Sequence, residues 1–475
     1  MHLLQEECDR QASKIFLEFR KKRAVKDKVD KIRESIYGTS SLAVTSSMGG
    51  YESSGSSTLE STNNKLEARE LGHVLEEMAL LQARSEMYFK FVKKKSFTDL
   101  DNETDVNAMR ATIERQLLMS GLCQSVQELM SEYVLFEEFY MTQNIRKAMN
   151  QFKENCSVDL RDDRILDEVF FIVKQCVTRS IGCGSLDGLC AVANNACSVL
   201  ETEFASVLNS HLKMGFPSGY LDMTMNVIQT SFQQGYKKAA AQVATGVSDS
   251  ESQKTVFLST LNCVDHSIDY LTRLTSSLQT ETLPLLSGRS QHEKDKVENS
   301  FSGFPALVAR FRSINEQGMQ QLRTSVIKPR IKPWMDSFPS HDISEETFSD
   351  YEANDPFIQT LIMNLDSLLG SFKDSLTTAN YETLVGMMAA EVTLQIEKTA
   401  LKFKFSRLGG LQFDREVRSL VSYFTSSSTW SMREHFLRLN QVATVLNLES
   451  VGEIKDFEEN WKITTSEIKH ILHLR

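Results

Sequence analysis

Apolar residues along this chain recur at three- and four-residue steps, the period of a helix that buries one face. The pattern is cleanest near the end, between Leu408 and Glu453. Phe413, Val417, Leu420, Val421 and Phe424 fall on one helical face. A polar break follows at Thr425–Thr429. Met432, Phe436, Leu439, Ala443 and Leu446 then form a narrow apolar seam. Two helices packed across the break are the expectation.

Upstream, residues 3–36 read as one charged helix with a thin stripe of Leu4, Ile15, Phe19, Val25, Val29, Ile32 and Ile36. The run from Gly38 to Asn64 is rich in Ser and Gly, too polar to pack, and reads as a linker. Helical periodicity resumes at Leu71, Leu75 and Met78, and is interrupted by FTDLDNETDVN at 97–107. Amphipathic faces follow at Val126–Tyr140, Leu166–Val177 and Leu189–Phe204. MGFPSGY at 214–220 marks a turn and TGVSDSESQ at 245–253 a second polar break. Helices through Leu261–Leu271 and Leu307–Leu322 lead to a proline cluster between Pro329 and Pro356, read as an ordered, non-helical connector.

Four patterned helices close the chain: Phe357–Leu376, Tyr381–Phe405, Phe413–Phe424 and Met432–Leu446. Gly409 and Gly410 suit the C-terminal cap of the second. Ser431–Glu434, Ser450–Glu453 and Thr464–Glu467 each match a capping box, a hydroxyl followed three residues on by an acid. No period-two strand pattern of any length occurs. The expected fold is all-α, an elongated rod of successive antiparallel helical bundles. Its parts are an N-terminal charged helix (1–37), a Ser/Gly-rich linker (38–64), one or more bundles (65–245), a bundle ending in the proline-rich connector (246–356) and a C-terminal bundle (357–475).

Composition narrows the function classes. The 475 residues correspond to about three domains. With 41% apolar and 24% charged residues the chain is an ordinary globular sequence able to bury a core. Only seven prolines occur, none before Pro217, which favours long helices. A net charge of −10 argues against nucleic acid, which requires a basic face. The start, MHLLQEECDRQ, is charged from its sixth residue and does not read as a signal peptide; no run approaches the roughly 18 apolar residues of a membrane span. The eight cysteines are therefore expected to be reduced.

Candidate chemistry is sparse. No phosphate loop, zinc helix or nucleophile elbow is present. Cys176, Cys183, Cys190 and Cys197 recur every seven residues, about 10 Å apart along a helix and too far for a tetrahedral zinc site, so they read as small buried residues. GCGSLDG at 182–188 lacks a lysine and a preceding strand, and reads as a helix–helix turn. Asp162, Asp163, Asp167 and Glu168 invite comparison with the aspartate clusters that chelate magnesium in all-α diphosphate enzymes. Their spacing is one residue too long, and Arg161 and Arg164 offset them; acids at a helix start that oppose the macrodipole are the simpler reading. His470 and His473, and likewise His266 and His435, lack partners in the sequence for a metal site. No catalytic, cofactor or metal residue is assigned. If the last helices pack, Arg438 and Glu467 form an Arg–carboxylate fork; otherwise Glu467 serves only its own capping box and Arg438 is solvated.

LLQEECDRQA at 3–12, IKPRIKPWMDSF at 327–338, SDYEANDPFIQ at 349–359, LGGLQFDREVRSL at 408–420 and TWSMREHFLRLNQVATVLNLESV at 429–451 are long and compositionally unbiased. Through them the chain resembles the family of subunit 4 of the conserved oligomeric Golgi complex over nearly its whole length. The resemblance implies a non-enzymatic scaffold of rod-like helical bundles in a multisubunit vesicle-tethering complex. It implies peripheral association with the cytosolic face of Golgi membranes, action in intra-Golgi retrograde transport, and placement of glycosylation enzymes. Partners implied are the other complex subunits, SNAREs, a Sec1/Munc18-type protein and Rab GTPases. It also implies an inter-helix ion pair at Arg438 and Glu467. Family chains extend several hundred residues further upstream, through a coiled-coil region, so this sequence is expected to lack the family's N-terminal portion. Alternatives are an exocyst-like tether and a magnesium-dependent all-α enzyme using Asp162, Asp163 and Asp167.

Overall fold

The computed structural model describes residues 2–42, 68–96, 112–155, 164–217, 240–449 and 461–475. Among them every regular element is helical, and the one β-type contact is an isolated bridge between His341 and Phe405. Contacts group the chain into two units. The first gathers Met1–Glu154, Asp163–Val207 and Ser267–Arg310; the second gathers Asn155–Asp162, Leu208–His266 and Phe311–Arg475.

The chain opens with α1 (His2–Lys22), α2 (Val25–Leu42) and α3 (Ala68–Ser96). A short α4 at 112–118 precedes α5 (Gly121–Asn155), α6 (Arg164–Gly182) and α7 (Leu186–Val199). A π-helical turn, Leu200–Ala205, joins α7 to α8 (Ser206–Lys213). Then come α9 (Ala240–Leu286), α10 (Gln291–Phe301) and α11 (Gly303–Leu322).

In the first unit α7 packs against α6 and α10, and α3 against α6. The expected apolar faces supply the core: Leu71, Leu75 and Met78 of α3; Leu129, Tyr133 and Phe136 of α5; Val173 and Val177 of α6; Leu189 and Val192 of α7. Each such side chain contributes about 1.5–3 kcal/mol on burial. The α6–α7 connection is the turn expected at 182–188: Gly184 takes φ +78°, which only glycine adopts without strain, and the Ser185 hydroxyl accepts from the Gly188 N–H to cap α7.

The single charged helix expected over 3–36 is two helices. Ala24 takes a left-handed φ of +48° and breaks the run. The reason lies in the phase of the apolar stripe. Phe16 and Val25 are nine residues apart, about 180° around a straight helix, yet both are buried. The break turns Val25, Val29 and Ile32 back to the core, while Ile15 of the expected stripe is exposed. Asp9 of α1 then caps α5 from a distance, its carboxylate accepting from the N–H groups of Gly121 (2.9 Å) and Leu122 (3.3 Å). The helix after Ala24 runs on to Leu42; the remainder of the expected linker, 43–64, and the interruption at 97–107 lie outside the described residues.

In the second unit α11 continues through a π-helical turn, Arg323–Ile327, into α12 (Lys328–Trp334). This corrects the reading of the proline cluster as wholly non-helical. Pro329 sits at the start of α12, and the N–H of Lys328 reaches back five residues to the Arg323 carbonyl. The wider turn spaces the backbone where a proline ring would otherwise clash with the carbonyl four residues before it. A 3-10 turn, Met335–Ser337, an irregular stretch to Ser344, and α13 (Glu345–Ala353) complete the segment.

The last five helices among the described residues are α14 (Pro356–Lys373), α15 (Thr378–Ala400), α16 (Arg407–Ser427), α17 (Arg433–Asn447) and α18 (Thr465–His473). Side-chain hydroxyls or a carboxylate cap four of them: Asp355, Thr377, Ser406 and Thr464. Asn262 of α9 locks the α14–α15 turn, donating to the Ser375 carbonyl and accepting from the Thr377 N–H, each at 2.9 Å. Gly409 and Gly410 do not cap α15, which ends at Ala400; they lie in the first turn of α16. Gly409 is required there for proximity, since a Cβ on it would sit 1.6 Å from the His341 carbonyl oxygen.

Candidate functional site

Helix α17 is the hub of the C-terminal bundle, packed against α15, α16 and α18. The seam positions Met432, Phe436, Leu439, Ala443 and Leu446 are each no more than 2% exposed. Phe436 meets Phe424 of α16 with ring centroids 5.6 Å apart. The polar break before α17 is held in place by an α15 carboxylate. Glu382 accepts from the N–H (2.9 Å) and hydroxyl (2.7 Å) of Thr429 and from the Ser428 hydroxyl. Burial pushes the Glu382 carboxyl up, but these donors outweigh it and leave the group below its ordinary value. With the break drawn toward Glu382, the expected Ser431–Glu434 capping box does not form: Met432 occupies the N-cap without a side-chain bond. The Ser450–Glu453 box lies outside the described residues.

On the other side of α17, Arg438 gathers three segments. Its Nε donates to both carboxylate oxygens of Glu397 on α15, at 2.8 and 3.0 Å. Its Nη1 donates to the Lys462 carbonyl at 3.3 Å, and its Nη2 to Oε1 of Glu467 on α18. Glu467 divides its oxygens: Oε2 accepts from the N–H (2.7 Å) and hydroxyl (2.9 Å) of Thr464, completing the α18 capping box. The ion pair and the capping box are thus not alternatives, because one carboxylate serves both. The Arg438 guanidinium and the Thr464 donors hold the Glu467 carboxyl down at about 2. Gln441, one turn further along α17, accepts from the Lys462 N–H at 2.9 Å.

A buried polar core lies under the irregular stretch before α13. His341 and Glu416 are 1% and 3% exposed, with Nε2 and Oε2 3.2 Å apart. Gln412 donates to Asp355 at 2.5 Å, and Phe338, Phe405 and Phe413 surround the imidazole. Burial raises the Glu416 carboxyl, with His341 opposing it only in part. In the first unit, Arg179 of α6 pairs through two parallel bonds with the fully buried Glu137 of α5, at 2.6 and 2.8 Å.

Asp162 and Asp163 lie outside the described residues; Asp167 accepts from the Tyr270 hydroxyl at 2.6 Å, and Glu168 is exposed. Cys176, Cys183 and Cys190 are buried, Cys197 is half-buried, and all four are free thiols. His470 and His473 are exposed, and His473 bonds the Lys469 carbonyl. Among the described residues no three His, Cys, Asp or Glu side chains are grouped to hold a metal, and no helix is long and apolar enough to cross a membrane. Glu397, Glu382 and the His341–Glu416 pair were not found by reading the sequence. Each meets its partner across dozens of residues, and no local spacing marks such a contact.

Two family models cover most of the chain. "COG4 transport protein, middle alpha-helical bundle" matches residues 1–212, and "Conserved oligomeric Golgi complex subunit 4, C-terminal" matches 257–472. The chain is similar to proteins named conserved oligomeric Golgi complex subunit 4. The relative from Pongo abelii is 34% identical over 99% of this chain and 60% of its own length. That from Drosophila melanogaster is 33% identical over 100% of this chain and 62% of its own length. The one from Arabidopsis thaliana is 27% identical over 86% of this chain and 52% of its own length. The chain therefore spans about 60% of the length of the curated relatives from Pongo abelii and Drosophila melanogaster. It belongs to the family of conserved oligomeric Golgi complex subunit 4.

Proposed function

We propose that this chain is a non-enzymatic scaffold subunit of a vesicle-tethering complex at the cytosolic face of Golgi membranes. In that role it acts in intra-Golgi retrograde transport and so maintains Golgi structure and the placement of glycosylation enzymes. Its partners in this reading are the other subunits of the complex, with SNAREs, a Sec1/Munc18-type protein and Rab GTPases meeting the assembled tether. The observation that carries the proposal is similarity along 99% of the chain to proteins named as a Golgi complex subunit. The α17 junction supports it at the level of parts. Arg438, Glu397 and Glu467 fasten α18, a helix of nine residues and too short to hold by itself, to α15 and α17, which suits a rigid scaffold.

The test is co-expression with the neighbouring Golgi-complex subunits, followed by affinity capture and imaging of a tagged form. Co-elution with those subunits and a Golgi signal that depends on them are expected. A free monomer with a plasma-membrane signal overturns the proposal.

A further inference from the structure

Helix α3 is buried along one side by Leu71, Val74, Leu75, Met78, Gln82 and Ser85. On the opposite side Leu80, Met87 and Phe91 are 57, 61 and 59% exposed. Isolated exposed apolar residues need no explanation. These three share one register: at about 100° per residue they lie within about 40° of each other. With Arg84 and Lys94 they occupy 80, 84, 87, 91 and 94, the alternating four- and three-residue steps of a coiled-coil seam roughly 21 Å long. Lys90 and Lys95 take the flanking positions of the same heptads, and both are exposed, as is Arg84. Of the acids nearby, Glu77 pairs with Arg23, Glu114 with Lys93 and Glu76 with His73, and the partly buried Glu86 lies toward the inner side of α3, near Lys90 and Lys93. In a chain of net charge −10 this half of α3 is a local concentration of cations.

We propose that the outer face of α3 is a docking seam for an acidic amphipathic helix of a partner protein. Apolar residues of the partner interleave with Leu80, Met87 and Phe91, and its carboxylates meet Arg84 and Lys90. A helix is the occupant because the stripe is narrow and carries an arginine in its centre. A helix that lies in a lipid surface presents a broad apolar face instead. The inference rests on α3 alone and stands independently of the Golgi assignment.

The probe is a fluorescein-labelled synthetic helix of four heptads with Leu at a and d and Glu at e and g. Its counterpart carries Lys at e and g. Anisotropy titration of the intact chain should give saturable binding of the Glu peptide about tenfold or more tighter than the Lys peptide. The Met87→Ser/Phe91→Ser pair should weaken it about tenfold with the melting temperature unchanged, because both side chains are exposed. The Arg84→Glu/Lys90→Glu pair should reverse the preference toward the Lys peptide, which loss of folding cannot do. Binding of neither peptide, equal binding of both, or indifference to the serine pair overturns the proposal. So does capture by phosphatidylserine vesicles, without peptide binding, that the serine pair abolishes; that result assigns the face to lipid.

Discussion

Glu467 shows how much one carboxylate can be asked to do. It caps α18 with one oxygen and meets Arg438 with the other, so its charge is stabilised from two directions. Its folded value of about 2 lies below the ordinary 4.5. A group lowered by folding contributes stability above its unfolded value and loses it as pH falls through the folded one. The contribution is therefore complete at neutral pH and fades between about 4.5 and about 2. Because Glu467 is 38% exposed, solvent screening keeps the ion-pair part to about 1 kcal/mol. Urea unfolding of the native chain and of Glu467→Gln should differ by about that amount at pH 7, and the gap should narrow by pH 3. A gap of equal size at both values means that charge is not what Glu467 supplies. Gly409 makes a steric demand of the same kind. Gly409→Ala should cost about 3 kcal/mol, because the His341 backbone, not a flexible side chain, stands in the way. A urea midpoint that does not move would show that the irregular stretch yields freely.

The helices themselves were legible, since a buried face at helical period writes itself into the sequence. Leu129, Tyr133 and Phe136, or Val173 and Val177, could be placed on a core face without coordinates. Which helix each face meets could not, because burial is satisfied by any apolar partner. Polar contacts such as Arg179–Glu137 accompany particular pairings, and two isolated letters carry no trace of them. The break at Ala24 was legible in principle from the phase of Phe16 and Val25, and was masked by helix-favouring charges on both sides. Arg179→Ala leaves Glu137 buried without its cation and should cost about 3–5 kcal/mol. Replacing both residues, Arg179→Met with Glu137→Leu, should recover most of that loss. Leu439→Asp places a charge in the α17 seam and should unfold the C-terminal bundle, seen as lost helical ellipticity or insoluble expression. Normal melting of Leu439→Asp would mean that α17 does not hold its neighbours through this face.

At the scale of the whole molecule, the scarcity of proline and the lack of period-two runs made the all-α class readable, and long unbiased tracts carried the family. The grouping of the chain was harder to see. Each unit is assembled from three separate stretches, and a division drawn along the chain at 245 and 356 does not express that. The cysteines spread through both units offer a direct probe of how firmly these parts are closed. Burial pushes the Cys183 and Cys197 thiols up to about 12, and Cys176 is raised as well. The thiolate is the reactive form, so a thiol raised by burial is alkylated far more slowly in the native chain than in the unfolded one. Iodoacetamide at pH 8 should therefore leave Cys176 and Cys183 unmodified over times in which urea-unfolded chain is fully alkylated, read by mass spectrometry. Zinc added to the native chain should leave the protection of Cys176, Cys183 and Cys190 unchanged, because these three sulfurs are buried in the core. Rapid native labelling of Cys183 would instead show that the α6–α7 turn opens readily, and that the first unit is looser than its buried Glu137–Arg179 pair implies.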